Sequence, residues 1–250
     1  MIEFQGLHKT FGSNHVLKGV SGVLEAGKVN LILGGSGTGK SVLLKCLVGL
    51  LQPDDGAVLY NGRSFHESNV TEKKAIRREI GMLFQGSALF DSKTVEQNVM
   101  FPLDMLSNME KGEKMDRVNF CLERVGLAGK NDLMPSEISG GMQKRVGIAR
   151  AIVANSKYLF CDEPNSGLDP RTAILIDDLI KEITYEYNIT TTVVTHDMNS
   201  VLGIGDKILY FQAGEKLWEG TRHDIYDAKV EEFNDFIFAN IAMKELKNKN

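Results

Sequence analysis

Gly34-Gly35-Ser36-Gly37-Thr38-Gly39-Lys40-Ser41 is the stretch that decides how this sequence is read. It matches the pattern G-x-x-x-x-G-K-[ST]. Its glycines let the backbone curl so that successive N–H groups point inward at phosphate oxygens. Ahead of it, the turn Leu24-Glu25-Ala26-Gly27-Lys28 leads into Val29-Asn30-Leu31-Ile32-Leu33, which reads as a short buried strand. Behind it, Ser41 to Leu51 has helical apolar spacing. A helix there aims its N-terminus, the positive end of its dipole, at the same phosphates. Lys40 is placed to reach the β- and γ-phosphates of a nucleotide, and the Ser41 hydroxyl to bind Mg²⁺.

Further out, strand and helix signals alternate. A turn at Pro53-Asp54-Asp55-Gly56 precedes the strand Ala57-Val58-Leu59-Tyr60, and Gly81-Met82-Leu83-Phe84 is a second buried-strand candidate. From 94 to 152 the pattern is mostly helical and reads as an inserted subdomain. Strands return at Tyr158 to Cys161, Thr190 to Thr195 and Lys207 to Phe211, with a helix from Arg171 to Tyr187 between the first two. Buried β runs separated by helices imply an α/β fold whose parallel sheet is covered on both faces. Short helices are expected over Asp224 to Ala242, where Phe233, Phe236, Ile237 and Ile241 share one face that should pack on the chain's own core.

Bulk properties agree with one globular domain: 250 residues, 42% hydrophobic. Net charge is −4 and the basic residues are scattered, which argues against a nucleic-acid partner; Lys244 to Lys249 reads as a solvated end. Met1-Ile2-Glu3-Phe4 has no charged or apolar leader pattern, so no secretory signal is expected. Apolar runs such as Lys157 to Cys161 fall far short of the roughly 20 residues that a membrane span needs. Cys46, Cys121 and Cys161 are widely spaced, fit no metal pattern, and read as buried reduced thiols.

The second chemical element is Tyr158-Leu159-Phe160-Cys161-Asp162-Glu163-Pro164, an apolar strand ending in two carboxylates. An acid at such a strand end holds Mg²⁺ in P-loop NTPases, the role expected of Asp162. Glu163 is then placed on the γ-phosphate side, to orient and polarise the attacking water.

Ile138-Ser139-Gly140-Gly141-Met142-Gln143 resembles the signature sequence of ABC ATPases, with Met142 where most members have Gln. A serine and two glycines opening a helix offer N–H groups and a hydroxyl to phosphate. Other matches follow in the order this family requires. Gln85 resembles the Q-loop glutamine, which contacts Mg²⁺ or the attacking water and senses the membrane partner. Ser166-Gly167-Leu168-Asp169 resembles the D-loop, and His196, in Val194-Thr195-His196-Asp197, the switch histidine. Phe11, followed by Gly12 and by Val16-Leu17, resembles the aromatic that stacks on adenine.

The resemblance covers Phe4 to about Gly220 and implies a P-loop NTPase (RecA-like) core, an antiparallel N-terminal β subdomain and an inserted α-helical subdomain. The expected division is a nucleotide-binding core at 1–85 and 155–220, a helical signature subdomain at 86–154 and a helical tail at 221–250, all in a single domain. The implied ligands are ATP and Mg²⁺. The implied catalytic residues are Glu163, His196 and Gln85, and the metal ligands Ser41, Gln85 and Asp162. The nucleotide contacts are Phe11, Val16, Gly34 to Val42, Ser139 to Met142, and Asp169. The implied assembly is a head-to-tail homodimer with ATP between the subunits, bound to an integral membrane permease and peripheral on the cytoplasmic face of the plasma membrane.

Met82 to Phe90, Asn98 to Leu103 and Leu133 to Met142 look like the ATPases of the Mla/Mkl family, which energise phospholipid transporters containing an MCE-domain protein. Amino-acid and methionine importer ATPases share part of these stretches, so small-solute import is the alternative. The short tail after Gly220 is expected to leave no room for the extra regulatory domain that sugar and methionine importer ATPases carry. A soluble ABC protein acting on ribosomes or DNA would call for two cassettes or a long coiled-coil insertion. Finally, Leu89, Phe90, Val95, Val99, Phe101, Leu103 and Met105 crowd the segment after Gln85, and are expected to form an apolar groove for a permease helix.

Overall fold

The computed structural model describes residues 1–239 and builds them on two sheets. The first is antiparallel, ordered β2-β1-β4-β5, from β1 (Ile2–Phe11), β2 (Asn14–Leu24), β4 (Asp55–Tyr60) and β5 (Arg63–Ser64). The second is ordered β10-β9-β3-β8-β7-β6, from β3 (Val29–Leu33), β6 (Ile80–Leu83), β7 (Tyr158–Asp162), β8 (Thr190–Thr195), β9 (Lys207–Gln212) and β10 (Glu215–Gly220). Its strands run parallel except β10, which closes one edge antiparallel to β9.

The period-2 alternation of the central strands divides the interior. Leu31, Leu33, Leu159, Cys161 and Val193 face one apolar layer, shared with the helices α3 (Val95–Leu106), α4 (Lys111–Arg124), α5 (Gly140–Ile152) and α6 (Pro170–Glu186). Ile32, Tyr158, Phe160 and Val194 face the other, filled by α1 (Lys40–Leu47) and the antiparallel sheet. Every residue of β3 and β8 is buried, as expected of strands covered on both faces. Two short helices, α2 (Val70–Arg78) and α7 (Met198–Ile204), complete the body.

Three local expectations change. The helix after the phosphate loop ends at Leu47, not Leu51, because Gly49 turns the chain at φ 71° against the ring of Phe65. The segment after Gln85 is not a continuous apolar groove. Val95, Val99 and Leu103 are buried in the core and Leu89 packs against it, leaving Phe90 and Met105 exposed, with Phe101 half-buried and tilted against Phe90, ring centroids 4.8 Å apart. Amphipathic spacing on α3 turns most of the apolar set inward. Strand β6 stops at Leu83, and Phe84 lies exposed beyond it.

In the tail, α8 (Glu231–Ile237) buries Phe233 and Ile237 and packs Phe236 against the core, with Trp218 stacked on Phe233 at 4.2 Å. Ile241 and Lys244 to Lys249 lie outside the described residues. All three cysteines are buried and free. No helix among the described residues is long and apolar enough to cross a membrane.

Candidate functional site

Four adjacent parallel strands, β3, β8, β7 and β6, end on the same side of the sheet and release the chain into four loops. These carry residues 34–41, His196, Asp162 with Glu163, and Gln85. The carboxyl ends of parallel strands are where open α/β sheets bind ligands.

In the first loop, Gly37 and Gly39 take φ 76° and 99°, conformations that L side chains rarely adopt. A side chain at Gly34 would strike the Phe211 carbonyl at 2.3 Å. The Lys40 ammonium folds into the loop, donating to the carbonyls of Gly34 at 2.9 Å and Gly35 at 2.6 Å. Burial lowers the Lys40 pKa, and the carboxylates of Glu163 and Asp162 oppose that shift. Ser41 is exposed, Val42 half-buried, and the Thr38 hydroxyl braces the turn on Gly35 O at 2.9 Å.

Glu163 stands at φ 45°, in the left-handed region, where its N–H donates to Val194 O at 2.9 Å. Its carboxylate gathers two of the sequence-predicted residues. Gln85 Nε2 donates to Oε2 at 3.1 Å, and His196 Nδ1 meets Oε1 at 3.3 Å. Gln85 Nε2 also lies 3.3 Å from Ser166 Oγ. Asp162 is half-buried, and burial followed by the charge of Glu163 raises its pKa. Ser41, Asp162 and Gln85 supply hydroxyl, carboxylate and amide oxygen, the hard donors that Mg²⁺ takes. Two carboxylates stand side by side, and the raised pKa of Asp162 shows a site short of positive charge, so this set fits a divalent cation.

Ser139, Gly140, Gly141 and Met142 are not brought to this cluster. Ser139 caps α5, accepting from Met142 N–H at 3.3 Å, and opens on a cavity of about 410 Å³ shared with Arg145, Thr172 and Leu175. Gly35, Ser36, Glu163 and His196 line a separate cleft of about 860 Å³. Met142 packs against the core. Asp169 caps α6, accepting from the N–H groups of Arg171 and Thr172, both at 3.1 Å. The Thr172 hydroxyl, first among its partners, holds the Asp169 carboxyl below its ordinary pKa. Phe11 is exposed at the β1–β2 hairpin with the Lys9 ammonium 5.6 Å from its ring, and Val16 is half-buried.

Two residues of the site escaped sequence reasoning. Lys144, buried on α5, donates to the carbonyls of Gln85 and Glu163, so one ammonium ties together both reactive loops. Burial lowers its pKa, against the pull of Cys161, Glu163 and Asp162. Arg150, two turns on, donates to Ser87 O at 2.6 Å and Ala88 O at 2.7 Å, fixing two residues at φ 60° and 47° just past Gln85. Their signal is a cation inside a buried helical stripe: Lys144 shares a face with Gly147, Ile148 and Ala151, and Arg150 with Val146 and Gly147.

The family model for the ABC transporter matches residues 17–166. Over 207 residues the chain is 42% identical to the probable ribonucleotide transport ATP-binding protein mkl of Mycobacterium leprae, spanning 83% of this chain and 60% of that protein's length. It is 40% identical over 228 residues to the methionine import ATP-binding protein MetN of Caulobacter vibrioides, covering 90% of this chain and 68% of MetN. The bacterial ABC transporter cassette MJ0796, solved as a dimer, superposes with a TM-score of 0.81 at 32% identity over 89% of this chain and 99% of its own. Its post-hydrolysis state, with ADP and Pi bound, gives 0.80 at 31% over the same shares. With a phosphate loop, an acidic strand end and a glutamine–glutamate–histidine cluster on one edge of the sheet, the chain belongs to the ABC transporter family, among its ATP-binding cassettes.

Proposed function

We propose that this cassette hydrolyses ATP to ADP and phosphate and uses the cycle to drive a separate membrane permease. The observation that carries the reading is the Glu163 carboxylate, held between Gln85 and His196 beside the Lys40 loop. The loop N–H groups and Lys40 bind the β- and γ-phosphates. Ser41, Asp162 and Gln85 would hold Mg²⁺, which would supply positive charge against the phosphates. Glu163 accepts a proton from the water that attacks the γ-phosphorus in line, and the imidazole of His196 donates to a γ-phosphate oxygen. Phe11 stacks on adenine, with Val16 beside it.

Ser139 and the Lys40 loop open on different cavities. A γ-phosphate that touches both therefore takes its Ser139 contact from a second copy, in a head-to-tail dimer with Asp169 at the junction. The dimeric MJ0796 cassette supports this arrangement. The core at 1–85 and 155–220 then binds nucleotide, while the helical part at 86–154 reaches the partner and, through Phe90 and Met105, the permease on the cytoplasmic face of the membrane.

For cargo, we favour phospholipids moved by an Mla-type system with an MCE-domain subunit. The support is the likeness of Met82 to Phe90 and Leu133 to Met142 to that family, together with the mkl relatives. The similarity to MetN supports small-solute import as the second reading. Glu163→Gln keeps size and removes charge; ATP should still bind, turnover should fall by orders of magnitude, and a nucleotide-bound dimer should accumulate. Near-normal turnover would refute the assignment of Glu163. Co-purification from native membranes, with subunits and lipids identified by mass, separates the cargo readings.

A further inference from the structure

Behind the reacting loops lies a buried carboxylate that the chemistry above does not use. Asp177 sits on the inner face of α6 with Ala173, Ile176 and Ile180, and is 5% exposed. Its Oδ1 accepts from Asn165 Nδ2 at 2.9 Å, and its Oδ2 from Ser200 Oγ at 2.7 Å. Asn165 Nδ2 also donates to Ser200 Oγ at 3.0 Å, so the three side chains close a ring.

The ring joins three segments that sequence keeps apart. Asn165 belongs to the loop of Glu163, beside Ser166, whose hydroxyl meets Gln85. Ser200 belongs to α7, whose cap Asp197 directly follows His196. Asp177 belongs to α6, a long helix packed into the core. A buried ionised carboxylate is costly, and an apolar side chain packs at such a position without that cost. What the carboxylate adds is an acceptor for two donors from two loops, through charge-assisted bonds of fixed direction.

We propose that Asp177 is a positioning residue that locks the loop of Glu163 to the loop of His196, keeping the two side chains in register for hydrolysis. The inference rests on the assignment of Glu163 and His196 to the hydrolytic step. With the lock formed, neither loop shifts without breaking a bond to α6. Burial pushes the Asp177 carboxyl up to about 6, and the nearby charges of Asp197 and Asp178 add to the rise, while Ser200 and Asn165 oppose it. The other titratable group facing it, Cys161 on β7, is kept neutral by burial. Acidification through pH 6 therefore neutralises the acceptor at the centre of the lock.

The test is steady-state Mg-ATP hydrolysis by the whole chain from pH 5 to 8.5, for the wild type, Asp177→Asn, Ser200→Ala and Asn165→Ala, with nucleotide binding and thermal melts alongside. At pH 8, Asp177→Asn should lose about tenfold in kcat, the scale of a small misplacement of reacting groups, with KM within about twofold. Its melt should be no lower than that of the wild type. The wild-type kcat should decline in acid with a midpoint near 6, and Asp177→Asn should lack that limb. Full kcat at pH 8, a parallel loss in kcat and rise in KM, or a limb with the wild-type midpoint overturns the proposal. Should Asp177→Asn fail to fold, Ser200→Ala and Asn165→Ala retain the carboxylate and must each lower kcat at unchanged KM; full kcat in either overturns it. Glu163→Gln run in parallel separates the two readings, since its near-normal turnover counts against the hydrolytic assignment. An inactive Glu163→Gln beside a fully active Asp177→Asn counts against the lock alone.

Discussion

Replacing Asp177 by asparagine should make the folded chain more stable. In the native state burial holds the carboxyl at about 6, against an ordinary value of 3.8. That gap is about 2 units, or roughly 3 kcal/mol at ~1.4 kcal/mol per unit. Because the folded pKa is the higher one, the group favours the fold fully below pH 3.8, and this contribution is lost as pH rises through about 6. At pH 8 the wild type therefore carries the whole cost. Asparagine has nearly the same shape and no charge. Its oxygen can accept from the Ser200 hydroxyl, and its amide can donate to Asn165 Oδ1, which is buried without a partner, once the Asn165 amide turns over. That turn gives up the bond from Asn165 to Ser200, so the ring opens between the loops although the buried charge is gone. Allowing about 1 kcal/mol for rearranging the amide pair leaves a gain of about 2 kcal/mol, or about 4–8 °C in Tm for a chain of this size. Urea unfolding followed by far-ultraviolet circular dichroism at pH 8, 6 and 4.5 measures it. The gain should be largest at pH 8 and close to zero at pH 4.5. A variant less stable at pH 8, or a difference that does not change with pH, refutes the reasoning. Gained stability beside lost turnover would be the trade expected where function retains a strained group.

Arg150→Ala strips the donors from the buried Ser87 carbonyl and the part-buried Ala88 carbonyl, and should cost roughly 1–3 kcal/mol in a denaturant melt, where a change under 0.5 kcal/mol contradicts the bracing role. Gly49→Ala places a Cβ 2.1 Å from the Phe65 ring at φ 71°, so a loss of about 2–3 kcal/mol is expected, and a neutral result would mean the turn relaxes freely. Phe90→Glu alters a ring that is 41% exposed. It should leave the melt within about 2 °C and strip the permease from the complex on purification, and a large drop in melting temperature would assign Phe90 to the core instead.

How far the sequence can be read depends on how local the chemistry is. The phosphate loop and the strand ending in Asp162 and Glu163 are legible because their glycines, apolar run and acids are contiguous, and the strand order then carries them to one edge. Gln85 and His196 were nameable only by resemblance; their meeting at Glu163 depends on the order β3-β8-β7-β6, which no local pattern encodes. Lys144 and Asp177 were missed because a charged side chain in a helix normally points to water. Each falls instead in a stripe of buried neighbours, and only the tertiary partner shows why. The apolar set after Gln85 misled in the opposite way, since counting apolar residues does not say which side of α3 they occupy. The shortened α1 was the most accessible miss, because Gly49 is a helix stop in plain sight.

The strand order also dictates when the phosphate loop can come into being during synthesis. β3, which launches that loop, hydrogen-bonds to β8 and β9 far downstream, with Leu31 opposite Val193 and Leu33 opposite Tyr210. None of its neighbours in the sheet precedes it in sequence, so a nascent chain that ends before β8 has an orphaned apolar strand and no cradle. Pairings this distant form late and slowly, and until they form the exposed β3 edge invites association with other chains. The phosphate loop is thus translated well before the strands that frame it, and nucleotide present during synthesis has nothing to grip until translation has passed Tyr210.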